Sequence, residues 1–293
     1  MIIKKTWQRK VFEVFNILIL TALVFVTLYP MIYIILASFS EPLTFLAHRG
    51  PLLKTLGFTT IAYEKAFLHP LLISGYLNTL FVVVVGVIIN IVMTSIAAYF
   101  LSRQKVLWQR PIAFLIIFTM YFSGGLIPLY FTIQDLGLND SLWSLIIPVA
   151  INTFNLMIMR TGFAAIPASL EESANIDGAG HFTILFKIVI PLAMPTVAVM
   201  ILYYGVAHWN SWFNASLYIT TPAKRPLQLV LREILLQNSS DSMTGGVDAG
   251  SQLAVSETIK YAIIVIATAP ILCVYPFLQK YFVKGVMVGA VKG

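Results

Sequence analysis

Six stretches of this chain run for about 20 residues or more without a single Asp, Glu, Lys or Arg, which is the length a helix needs to cross a bilayer. They extend from Val14 to Phe39, from Tyr76 to Leu101, from Pro111 to Ile133, between Asp140 and Arg160, from Ile188 to Trp209, and between Lys260 and Lys280. One Lys or Arg at mid-bilayer costs about 2.5–3.5 kcal/mol on insertion scales, so charge is expected to be absent from such windows. Only 11% of the residues are charged and 59% are hydrophobic. A soluble domain carries about 25% charged residues, and this chain has too few to cover a water-facing surface. The sequence therefore predicts an all-α integral membrane protein with six transmembrane helices.

The first window follows Lys4, Lys5, Arg9 and Lys10, as a signal peptide would. Its apolar run far exceeds the roughly 7–15 residues of a signal core, so an uncleaved first span is expected. Lys and Arg near span ends set orientation. They gather in the N-terminal tail, at Arg103, Lys105 and Arg110, at Arg160 and Lys187, which bound the loop after the fourth window, and at Lys280, Lys284 and Lys292. The short loop holding Asp135 and Asp140 has none. This asymmetry predicts both termini in the cytoplasm, a cytoplasmic loop at about 160–187 and a long extracytoplasmic loop at about 210–257, all within one membrane domain spanning 1–293. The net charge of +7 thus belongs to topology rather than to nucleic acid.

Cys273 is the only cysteine. It cannot form an internal disulfide or a cysteine-based metal site, and it is expected to pack as a small apolar side chain. Asn238–Gln252 is rich in Ser, Gly and Asp and reads as an exposed loop. Its Gly245, Gly246 and Gly250 lack the strand–helix frame of a nucleotide fingerprint. No Gly-x-x-x-x-Gly-Lys-Ser/Thr phosphate loop and no His-Glu-x-x-His occurs, so neither ATP hydrolysis nor a metal cofactor is expected of this chain. His48, His69, His181 and His208 are scattered and read as interfacial or loop residues.

The segment between the fourth and fifth windows carries more information. It reads Ile166-Pro-Ala-Ser-Leu-Glu-Glu-Ser-Ala-Asn-Ile-Asp-Gly-Ala-Gly-His-Phe and continues to Ile188-Val-Ile-Pro191. Pro167 suits a first helical turn. Glu171 and Glu172 lie early, where the helix dipole favours negative charge. Gly178 and Gly180 can end the helix and redirect the chain. Ala168, Ser173, Ala174, Gly178 and Ala179 would give a small-residue face that another protein could approach closely. On composition alone the segment also reads as an ordinary amphipathic connector.

The spacing Glu172-Ser173-Ala174, three residues, Gly178, nine residues, Ile188-Val-Ile-Pro191 resembles the EAA loop of ATP-binding-cassette (ABC) importer permeases. Ser173 stands for the first Ala of that pattern and Ile190 for its Leu. Tyr121-Phe-Ser-Gly-Gly-Leu-Ile-Pro128, Leu136-Gly-Leu-Asn-Asp-Ser-Leu-Trp143 and Lys284–Gly293 resemble the maltose-transporter-like carbohydrate permeases. Within that group the likeness is greatest to the branch for polysaccharide or uronate oligosaccharides, alginate among them. The resemblance implies a type I (MetI-like) permease fold in a prokaryotic inner membrane and import by alternating access. It implies a second homologous permease, two ATP-binding subunits that use ATP and Mg, and an extracytoplasmic solute-binding protein. It also implies that Glu171, Glu172, Ser173, Ala174, Asp177 and Gly178 couple the permease to an ATPase subunit, and that Lys284–Gly293 reaches toward the ATPases.

Candidates for the oligosaccharide path are Asn152, Asn155, Tyr203, Tyr204, Trp209, Asn210 and Trp212. Aromatic faces stack on sugar rings and amides bond hydroxyls, yet Trp and Tyr also anchor any membrane interface. Asn78, Asn90, Asn152 and Asn155 can line a path or bond across helices. Arg160 reads as a positive-inside anchor. An anionic sugar would need a basic partner. No window contains one, so the partner permease or the long outside loop would supply it. An ion-coupled secondary transporter, the alternative, would place ionisable groups at mid-membrane. A membrane enzyme would need a catalytic cluster. The sequence offers neither.

Overall fold

The computed structural model describes residues 6–103, 106–241 and 249–290, with the backbone alone for 237–241, 249–253, 275 and 277–290. Lys4, Lys5, Gln104, Lys105, Gly245, Gly246 and the last three residues of the tail, Val291–Gly293, lie outside the described residues.

The described chain is helical. In order come α1 (Trp7–Ser38), α2 (Pro42–Ala47), α3 (Ile61–Phe67), α4 (Pro70–Ser102), α5 (Gln109–Tyr121) and α6 (Leu126–Asp135). Two 3-10 turns, Leu142–Leu145 and Ile147–Val149, precede α7 (Thr153–Ala164) and α8 (Ala168–Ile176). Then α9 (His181–Ile184), a π-helical turn Leu185–Val189 and α10 (Ile190–Leu192) lead into α11 (Met194–Trp209). Last come α12 (Trp212–Tyr218), a 3-10 turn Pro222–Lys224, α13 (Leu227–Asp241) and α14 (Ala249–Ala290).

Among the described residues three unbroken helical stretches are long and apolar enough to cross a bilayer: Trp7–Ser38, Pro70–Ser102 and Ala254–Val274. The three remaining sequence windows are not straight. Gln109–Tyr121 and Leu126–Asp135 meet at 114°, Leu142–Val149 and Thr153–Ala164 at 50°, and His181–Leu192 and Met194–Trp209 at 88°. Counting each bent pair as one span gives six. Each bend has a local cause. Gly125 has φ +89 at the first, a backbone that favours glycine. Pro148 lies in the 3-10 turn of the second, and Pro191 and Pro195 flank the third, each unable to donate a helical N–H. The expected outside loop after Trp209 is itself largely helical where described, through α12 and α13.

The chain falls into two compact units, Met1–His69 with Glu233–Thr268, and Pro70–Arg232 with Ala269–Gly293. In the first unit no part of the apolar stretch of α1 is buried, and a helix apolar all round belongs in lipid or against another membrane helix. The core at its C-terminal end comprises Ala37, Phe45 and Leu52, packed by Tyr33 and Tyr261. Tyr33, Phe45 and Tyr261 meet edge to face with centroids 5.4–6.3 Å apart, the arrangement the ring quadrupoles favour. Glu41 caps α2 by accepting from the Thr44 N–H at 2.9 Å.

In the second unit α4 is the central post, packed chiefly on α7 and α11. One core joins Ala98, Leu101, Leu156, Met159, Phe163, Ile184, Val189, Val197 and Met200. Another joins Val82, Ile133, Leu145, Ile146, Ala215, Tyr218, Ile219 and Leu229. Cys273, expected to pack, is exposed on α14.

Candidate functional site

The segment marked by the sequence forms α8, and its C-terminal end shows why Gly178 is glycine. The Ala179 N–H donates to the Ala174 carbonyl at 2.9 Å and the Gly178 N–H to the Asn175 carbonyl at 3.1 Å. Gly178 has φ +80. This pair of bonds around a left-handed residue is the Schellman termination. It turns the chain out of α8 toward α9. Gly180, expected to share the turn, has ordinary extended backbone with φ −74.

The faces of α8 divide its candidate residues. Glu171 and Ala174 are buried. Glu172, Ser173, Asp177 and Gly178 are exposed, together with Asn175. Ile176 is 87% exposed and Leu170 43%. Ile176 and Leu170 thus put apolar side chains on the outward side of α8. Ile176 is not among the small and acidic residues that the sequence marks in this segment. The signal available was an apolar residue two positions before the motif glycine.

The inward face of α8 is fixed by charge. Glu171 Oε1 forms an ion pair with Arg103 Nη1, both side chains largely covered, 11% and 18% exposed. Arg103 follows the C-terminus of α4, and its guanidinium carbon lies 4.8 Å from the centroid of the Tyr99 ring. The Tyr99 hydroxyl lies 3.5 Å from His181 Nδ1. Burial pushes the Glu171 carboxyl up from its ordinary value, with Arg103 opposing. The end of α4 gathers further neighbours, because the Leu101 carbonyl accepts from Arg160 Nε at 2.9 Å and from Gln109 Nε2. Arg160 thus caps α4 as well as placing a positive charge at a helix C-terminus, where the dipole favours it.

The path candidates separate in the same way. Tyr204 is buried, and its hydroxyl shares a hydrogen bond with Thr94 at 2.8 Å and accepts from the Asn152 N–H at 3.0 Å. The Asn152 side chain caps α7 by accepting from the Asn155 N–H at 3.1 Å. Asn90 donates to the Val149 and Ala150 carbonyls at 2.7 and 3.0 Å. Asn78 donates to the Ala223 and Arg225 carbonyls. The bend before α7 leaves backbone groups without helical partners, and a bilayer supplies no water for them. Asn90 and Tyr204 satisfy those groups, so these polar residues hold helices together. Asn155 is buried at the start of α7 and Tyr203 is exposed on α11.

The remaining candidates lie where α11 passes into α12. Trp209 is buried, edge-on to Tyr76 with centroids 6.3 Å apart, and its Nε1 has no hydrogen-bond partner among the described residues. Asn210 donates to the Val206 carbonyl at 3.0 Å. Trp212 is part-exposed and carries the Arg232 guanidinium 3.5 Å above its ring. Arg232 was not singled out by sequence, because 20 positions and two helical elements separate it from Trp212. Among the described residues no group of three or more His, Cys, Asp or Glu could hold a metal ion.

The fold and sequence together place the chain among known proteins. It is 43% identical over 282 residues to the polygalacturonan/rhamnogalacturonan transport system permease protein YtcP of Bacillus subtilis, covering 96% of this chain and 97% of the relative. It is 42% identical over 284 residues to the protein LplC of the same organism, covering 97% and 96%. The crystal structure of a bacterial ABC transporter involved in the import of the acidic polysaccharide alginate matches with TM-score 0.86 and 33% identity, over 94% of this chain and 98% of that one. The sequence matches no protein-family model. The chain belongs to the permease family of carbohydrate-uptake ABC importers. It is a multi-pass, all-α membrane transport subunit of the type I fold rather than an enzyme.

Proposed function

We propose that this permease imports acidic oligosaccharides and takes its drive from an ATPase subunit docked on α8. In this reading both termini and the 160–187 segment are cytoplasmic, and 210–257 faces outward. The chain pairs with a second permease, two ATP-binding subunits and a solute-binding protein. ATP closes the ATPase dimer, α8 moves with it, and the spans alternate between inward-open and outward-open.

The observation that carries the coupling role is the two-sidedness of α8. Its inner face is pinned by Glu171 and Ala174, while Glu172, Ser173, Ile176, Asp177 and Gly178 are left facing out. Ile176 supplies an apolar knob for a groove, and Glu172 and Asp177 supply charges for basic groups around it.

The substrate class follows from the relatives, whose names specify polygalacturonan and alginate. Uronate sugars carry carboxylates. Arg232 over Trp212 supports their recognition: a guanidinium held against an indole can still offer its edge bidentately to a carboxylate. Trp209, Asn210 and Tyr203 stay with this pair as path candidates. Tyr204 and Asn152 are engaged in hydrogen bonds between helices.

The test of the docking role is cross-linking. With Cys273→Ser as background, Ile176→Cys should form a disulfide with single cysteines along one groove of the partner ATPase. The test of transport is ATP-dependent uptake of labelled oligogalacturonate by the complete importer in proteoliposomes. Uptake that ran on an ion gradient without the ATPase would contradict the proposal.

A further inference from the structure

We infer that Arg103 and Glu171 form the mechanical link by which displacement of α8 is passed to α4, making both positioning residues for transport. The inference rests on the reading of α8 as the docking helix. Between α8 and the membrane helices of its own unit, this is the ion pair that the described residues provide, and it joins α8 to the end of the helix at the centre of that unit.

Three features make the link stiff. Both side chains are largely covered, so water screens the attraction little. Arg103 is backed by the Tyr99 ring, and Tyr99 reaches His181 beyond the Gly178 turn, so both sides of that turn bear on α4. The Leu101 carbonyl, two residues before Arg103, is held by Arg160 of α7 and Gln109 of α5. A pull on Arg103 therefore acts on a gathered end rather than on a frayed one.

From there α4 carries the load inward. Thr94 and Asn90 lie 9 and 13 residues from Arg103, roughly 14 and 20 Å along a helix. Thr94 bonds Tyr204 of α11, and Asn90 bonds His208 of α11 and the two carbonyls at the bend before α7. The chain of contacts from the ATPase-facing helix to the bent spans is continuous.

The experiment uses the complete importer in proteoliposomes and reads uptake, basal ATPase activity and binding-protein-stimulated ATPase activity. Glu171→Gln removes the charge and keeps the shape. The expected result is uptake and stimulation reduced about tenfold or more with basal hydrolysis retained, because the outer face of α8 is intact. Arg103→Gln should do the same, and the double variant should be no worse than either single one. Charge reversal, Arg103→Glu with Glu171→Arg, should recover part of the uptake at equal membrane abundance. Wild-type uptake in both single variants, or losses that multiply in the double, would overturn the inference. The Ile176→Cys cross-link keeps the two claims apart. If it forms while the latch variants transport normally, only the latch is wrong. If it does not form, the docking assignment fails.

Discussion

His208 Nε2 and Asn90 Oδ1 meet at 2.7 Å against the flat face of Gly86. Because the Asn90 amide nitrogen is spent on two carbonyls, its oxygen must accept, and His208 carries its proton on Nε2. A Cβ at Gly86 would lie 2.6 Å from that nitrogen. Gly86→Ala should therefore displace the ring and cost about 1–3 kcal/mol. Asn90→Leu should cost about 1–2 kcal/mol, leaving the bend carbonyls unpaired. Both should lower the unfolding temperature of the solubilised importer, and an unchanged transition for Gly86→Ala would refute the packing described.

Asp140, in the short loop between the third and fourth spans, is a second fixed point. Its carboxylate accepts from Lys224 at 2.8 Å, from the Thr221 hydroxyl at 2.7 Å and from the Thr220 and Thr221 N–H groups. Lys224 first, then Thr221, hold its carboxyl well below the usual carboxylate range. A depressed folded value contributes stability above the unfolded value, and the contribution is lost as pH falls through the folded one. Asp140→Asn should thus lower the melting temperature by the same amount from about pH 5 to 8, the gap narrowing only below about pH 4. Asn also tolerates the left-handed backbone at this position, where φ is +53. A gap that closed between pH 8 and 6 would show that another group controls it.

The spans, the termination at Gly178 and the family were legible because each depends on local spacing. Charge-free windows mark membrane length, and the interval from Glu172 to Pro191 marks α8 and its turn. The bends were not legible, since hydropathy is the same for straight and broken helices. Nor was the pairing of Arg103 with Glu171, which lie 68 positions apart. The packing partners of Tyr204 were not legible either: its hydroxyl meets Thr94 and the Asn152 N–H, which lie 110 and 52 positions away in sequence.

Arg232 gives a specificity prediction. Arg232→Gln should raise the KM for oligogalacturonate about tenfold, as expected for one charge-assisted contact, and leave kcat close to wild type. Trp212→Leu should weaken uptake less, by removing the surface that orients the guanidinium. Uptake kinetics in proteoliposomes would check both. Equal KM values for wild type and Arg232→Gln would exclude this pair from the sugar path without touching the coupling assignment.

The central claim is that α8 couples the spans to ATP hydrolysis, and Gly178 is its most exposed point of failure. Nothing lies within 4 Å of a Cβ placed there, so a side chain would not clash inside this chain. Aspartate tolerates a left-handed backbone better than most residues, so the predicted loss rests on charge: an aspartate there would bring an unpaired charge into the ATPase groove. Glu172 is exposed, and losing an exposed ion pair should reduce activity less than about fivefold. The decisive measurement is uptake together with binding-protein-stimulated ATPase activity of Gly178→Asp and Glu172→Ala importers at equal membrane abundance. The account predicts that Gly178→Asp abolishes both and that Glu172→Ala only weakens them; wild-type coupling in Gly178→Asp would show α8 to be a connector and contradict the account.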